Sequence, residues 1–157
     1  MQWAEVLADR SLKDLPYKIE LDKWGNVVMS PASNRHGRLQ GIVYSMLDKL
    51  ANGRALIECA IATREGVKVA DTAWCSDAFF DRFGYETPYP RAPEICVEVR
   101  SPSNSEEELQ FKTRLYLEAG AREVWIVLET GEARFFGAEG ERSQSEYGID
   151  PGPLLKH

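Results

Sequence analysis

Lys112 and two acids upstream of it, Asp71 and Glu98, are the residues whose types and placing suggest chemistry. On a helical wheel from Ser105 to Gly120, Phe111, Leu115, Ala119, Tyr116 and Leu109 form one arc with Lys112 inside it; Gln110, Arg114 and Glu118 lie opposite. An ammonium on an inward face is costly unless it meets a carboxylate or an anionic ligand, or its stem carries the charge out to water. Asp71 in VADTAW and Glu98 in EICVEV supply carboxylates in strand-like runs. Two carboxylates on adjacent strands can hold Mg²⁺ with waters left over, and such an ion polarises a phosphodiester and generates hydroxide. A lysine beside it can orient or deprotonate the water, or stabilise charge on the phosphorus oxygens. The structural alternatives are that Asp71 caps backbone at a strand end and that Glu98 forms a buried ion pair with Lys112.

The elements that must position these groups are marked in the pattern. Trp3 to Leu12 suggests a short helix, and PYKIELDKWGNVVMSP a hairpin around Trp24, Gly25 and Asn26. From His36 to Ala51 an apolar stripe predicts the longest helix, with Asn52-Gly53 as its stop. ALIECAI, VKVADTAWC and EICVEV read as three strands, the last apolar throughout except for its glutamates. Ser76 to Pro93 has no regular period and is expected to be a long structured loop. Ser105 and Glu108 make a capping box for the Lys112 helix, Gly120 ends it, and EVWIVLE with EARFFG predicts a last hairpin. A loose tail with at most one edge strand is expected from about residue 138.

The chain has 157 residues, about one domain, and this reading places all of them (1–157) in one. No apolar run approaches the roughly 20 residues needed to cross a bilayer, and the N-terminus lacks a secretory pattern, so the expectation is a cytoplasmic protein without membrane association. Three widely spaced cysteines, Cys59, Cys75 and Cys96, argue against disulfides and a structural zinc. A net charge of −6 disfavours broad attraction to nucleic acid but leaves room for a local basic rim from Arg35, Arg38, Arg100 and Arg114. No GxGxxG, Walker or HExxH motif is present, and the histidines are His36 and His157.

The succession KIEL, NRHGRL, VADTAW, ICVEVRSPSNS and QFKTRLYLEAGAREVWIV, over roughly Leu15 to Gly137, resembles the Uma-two family of the restriction-endonuclease-like PD-(D/E)XK superfamily. The resemblance implies an α+β fold, a central mixed β-sheet flanked by helices, and a Mg²⁺- or Mn²⁺-dependent endonuclease acting on DNA. It implies that Asp71 and Glu98 bind the metal. The superfamily usually places its lysine two residues after the second acid, where this chain has Arg100, and the resemblance implies that Lys112 takes over that function. Ala70 stands where many relatives have proline. Glu20 corresponds to an acid that recurs in the family and either approaches the metal or is solvated on an edge strand. His36 either contacts phosphate or caps and packs its helix. Superfamily members often pair to cut both strands, which makes a homodimer through Phe79 to Tyr89 an expectation. The rival reading is a non-catalytic nucleic-acid-binding or protein-interaction module that keeps the nuclease fold.

Overall fold

In the computed structural model, which describes residues 1–101 and 103–156, the sheet is built from strands of alternating or continuous apolar character. These are β3 (Gly53–Thr63), β4 (Gly66–Ser76), β5 (Ile95–Arg100), β6 (Glu123–Leu128), β7 (Ala133–Gly137) and β8 (Gly140–Arg142). They lie in sequence order, with β5 and β6 parallel and every other neighbouring pair antiparallel. A separate antiparallel hairpin, β1 (Tyr17–Leu21) and β2 (Val27–Pro31), is docked through Leu21 beside Val69 and Ala60, together with Trp3 and Val6 of α1 (Trp3–Ala8). The result is the expected α+β architecture.

One helix covers each face. On one, Leu39, Val43 and Leu47 of α2 (Asn34–Asp48) pack on Ile95, Val97, Val99, Trp125 and Val127. On the other, Leu109 and Tyr116 of α4 (Glu106–Glu118) pack on Cys96, Val124 and Ile126. Because side chains alternate along a strand, Glu98 shares the face of Cys96 and points at α4. α4 has the predicted capping box between Ser105 and Glu108, and Gly120, at φ +118°, follows its last turn.

Three expectations are corrected. Within Ser76 to Pro93 a helix, α3 (Asp77–Phe83), is capped by Ser76, whose hydroxyl accepts the Phe79 N–H. The inward arc of α4 is rotated: Phe111 is 37% exposed, while Thr113 is buried with its hydroxyl bonded to the Leu109 carbonyl. The tail is not loose: after β8, Tyr147 and Ile149 pack on the α2-side core, and Leu155 of α5 (Gly152–Leu155) is fully buried there.

Candidate active site

The site forms where β4 and β5 part. Their paired positions are Trp74 with Ile95, Ala73 with Cys96 and Thr72 with Val97, and no pair follows. The main-chain amides released there still need acceptors, and side chains supply them. The Asp71 carboxylate accepts the Val99 N–H at 2.8 Å through Oδ2, and the Glu20 carboxylate, from β1, accepts the Val69 N–H at 2.8 Å. On the far side of β4, Glu58 occupies the left-handed region at φ +50°, between the pairs Ile57–Thr72 and Cys59–Ala70. Both neighbours of β4 are thus irregular at the level of Asp71.

Two lysines fill the gap. Lys112 donates to Glu20 Oε2 at 2.5 Å and to Glu98 Oε1 at 2.7 Å, and the Tyr116 hydroxyl donates to the same Glu98 oxygen at 2.9 Å. Lys18, on β1, donates to Glu98 Oε2 at 3.0 Å, to Asp71 Oδ1 at 3.2 Å and to the Val69 carbonyl at 3.0 Å. Arg100 stands 3.7 Å from Glu98, and His36 Nε2 stands 3.3 Å from Asp71 Oδ2. The cap of α2, in which Ser33 accepts the His36 N–H, sets this histidine in the first turn facing the acids.

Three acids are therefore matched by Lys18, Lys112 and Arg100, with His36 alongside. Burial alone would raise the Glu98 pKa, but Lys112, Lys18 and Arg100 outweigh it and hold the carboxyl well below its usual range. The bond to Asp71 lifts His36 above its ordinary 6.5, against partial burial. Burial, then the Glu98 charge, keeps the Tyr116 phenol protonated far above its usual value.

All five residues singled out from the sequence, Glu20, His36, Asp71, Glu98 and Lys112, meet here. Lys18 was missed; its one local signal is a lysine in the same KIEL run as Glu20. A cleft of about 500 Å³ opens onto the cluster, lined by Tyr17, Lys18, His36, Asp71, Val99 and Arg100 among others. The expected basic rim is reduced to Arg100: Arg35 donates to the Glu129 carbonyl, and Arg38 and Arg114 are exposed away from the lining. Pro102, part of the Ser101 to Ser103 motif, and His157 lie outside the described residues.

The donor chemistry fits a hard divalent cation. Carboxylate oxygens of Asp71 and Glu98 and the Val69 carbonyl converge on one point, now taken by the Lys18 ammonium. Among the described residues no group of three or more His, Cys, Asp or Glu side chains gathers at metal-holding spacing. Water would have to complete the shell, as is usual for Mg²⁺. All three cysteines are buried and free, and no described helix is long and apolar enough to cross a membrane.

Comparison with solved structures finds similarity to a protein from Anabaena variabilis, described as a putative nuclease belonging to DUF820. The TM-score is 0.68 at 16% identity, over 92% of this chain and 82% of that one. At that identity the likeness shows the fold. Comparison with curated proteins finds no match. A family model, Uma2, described as "Putative restriction endonuclease", matches residues 10–152. With nearly its whole length inside that match, from the turn before the β1–β2 hairpin to the docked tail, the chain belongs to the Uma2 family.

Proposed function

We propose that this protein is a divalent-cation-dependent nuclease that hydrolyses DNA phosphodiester bonds in the cleft over Asp71 and Glu98. The observation that carries the reading is that these carboxylates, from two strands that part beside them, share a single cation position at an open cleft. A bound Mg²⁺ or Mn²⁺ would be held by Asp71 and Glu98 and would supply Lewis acidity and a hydroxide source. Lys112 fixes the second oxygen of Glu98 and assists the attacking water or the charge developing on phosphorus oxygens. Tyr116 holds that same oxygen. Arg100 and His36 line the cleft wall, and in this reading they contact phosphate. Pairing of two copies belongs to the same reading, and a monomeric mass in solution would remove it.

A second reading, a non-catalytic nucleic-acid-binding or interaction module, is favoured by one feature: every acid of the cluster is already matched by a cation of the protein. The two part in one experiment. Plasmid and single-stranded DNA are incubated with protein in Mg²⁺, Mn²⁺ or EDTA, beside Glu98→Gln prepared identically. The nuclease reading expects metal-dependent cutting that Glu98→Gln lacks; no cutting, or equal cutting by both proteins, leaves the binding module.

A further inference from the structure

Lys18 is the cation at the site that the proposed mechanism does not use. Its ammonium has three protons and three acceptors: Asp71 Oδ1 at 3.2 Å, Glu98 Oε2 at 3.0 Å and the Val69 carbonyl at 3.0 Å. That set, two acidic oxygens and one main-chain carbonyl, is what a hard divalent ion selects. The ammonium and the metal cannot share it, because both need the same lone pairs. The charge count points the same way: Glu20, Asp71 and Glu98 already face Lys18, Lys112 and Arg100. A divalent ion entering beside an unmoved Lys18 would leave the cluster strongly positive.

We propose that Lys18 is the resident counter-cation of the Asp71–Glu98 pair, holding both carboxylates in place without metal and yielding that position when a divalent ion binds. Lys112 cannot play this part, since it is held between Glu20 and Glu98 on a helix packed on the sheet. Lys18 sits instead on a two-stranded hairpin outside the main sheet, and its side chain is 12% exposed, at a point bordered by two cavities. One of them is the cleft it shares with His36 and Arg100, so the displaced ammonium stays on the wall that a phosphodiester would approach. Metal entry thereby releases a positive charge toward the substrate.

The inference rests on the metal reading above, and its test separates the two. Mn²⁺ binding to the full chain is measured by calorimetry for the wild type, Lys18→Gln, Lys18→Arg and Glu98→Gln, without DNA. Lys18→Gln is expected to bind Mn²⁺ about tenfold tighter, because no ammonium has to leave, whereas Lys18→Arg keeps the competing charge and stays near wild type. A second measurement needs no variant: acylation of Lys18 by an amine reagent, followed by mass spectrometry, should rise several-fold when Mn²⁺ is added. Unchanged or weaker binding by Lys18→Gln, or unchanged labelling at saturating Mn²⁺, overturns the proposal and leaves the metal reading standing. Absence of a Glu98-dependent Mn²⁺ site in both wild type and Lys18→Gln overturns both.

Discussion

Glu98 and Glu123 are both fully buried acids on neighbouring parallel strands, yet their surroundings differ in kind. Glu123, at the start of β6, accepts from the Trp125 indole at 2.6 Å, the Ser145 hydroxyl at 2.5 Å, the Glu146 amide at 2.9 Å and Arg142 at 3.1 Å. Three of those four donors are neutral, and three of the four belong to β8 and the tail. Glu98 is met by Lys112, Lys18 and Arg100, and among the described residues Tyr116 is its one neutral donor. Burial with satisfied oxygens therefore does not mark a working acid. What sets Glu98 apart is its three cations, drawn from three elements beside an open cleft, the surroundings that the proposed exchange of Lys18 for a metal requires. Glu123 is a fastening for the C-terminal segment.

The widest separation should come from the same substitution at the two positions. Under the proposed function Glu98→Gln is expected to lower DNA cleavage about 10³-fold, because it would remove both a metal ligand and the charge that Lys112 answers. Glu123→Gln leaves an amide facing donors and should cost about 2–4 kcal/mol of unfolding free energy in urea. Its cleavage should stay within about twofold of wild type, since Glu123 is bonded to Trp125, Arg142, Ser145 and Glu146 and shares no partner with Asp71 or Glu98. Loss of cutting in a folded Glu123→Gln protein would erase the distinction between the two acids.

The two regions were not equally legible. Glu98 and Lys112 announce themselves locally, one as an acid in an apolar strand and the other as a charge in an apolar helical arc, and either placement requires a partner. Asp71 carries a weaker mark, a carboxylate in a strand-like run that also suits a strand-end cap, and the family resemblance is what tips that choice toward the site. Lys18 was invisible because its partners are 53 and 80 positions away and nothing local says that the hairpin folds over β4. The Glu123 fastening failed for the same reason: its donors lie in a polar tail whose apolar anchors, Tyr147, Ile149 and Leu155, are too scattered to form a period. Helix α3 did carry a signal, Ser76 before Asp77 with Phe79, Phe80 and Phe83 at helical spacing. At seven residues between aromatics and prolines, that signal was short.

Tyr116→Phe sharpens the comparison by removing only the neutral donor of Glu98. The three cations remain, so the expected effects are smaller: about 1 kcal/mol of stability and about tenfold in cleavage. An effect as large as that of Glu98→Gln would move the weight from the cations to the phenol. His36 adds a pH signature. Its pKa is raised in the folded protein, so its contribution to stability is fully present below the ordinary 6.5 and is lost as pH rises through the raised value. In EDTA, the stability gap between wild type and His36→Gln should be wider at about pH 5.5 than at about pH 8.5. A gap that widens with rising pH would mean that Asp71 does not favour the charged imidazole.

The smallest effect is expected at an acid that is neither buried nor near the cleft. Glu106 forms a two-pronged pair with Arg134, at 2.8 and 3.0 Å, and the hydrogen bonds from Arg134 and then Gln110 lower its pKa to about 2. A depressed carboxyl stabilises the fold above its ordinary 4.5 and loses that contribution as pH falls toward about 2. Glu106 is fully exposed, however, so water and salt screen the pair, and Arg134 keeps Glu141 as a second partner. Glu106→Gln should leave cleavage unchanged and shift the melting temperature only slightly near neutral pH, with the shift vanishing in high salt and toward pH 2. If that shift exceeded the one from Tyr116→Phe, ion pairing at the surface would outrank the buried cluster as a source of stability. The contrast between Glu98 and Glu123 would then have to be rebuilt on surface charge instead of on buried partners.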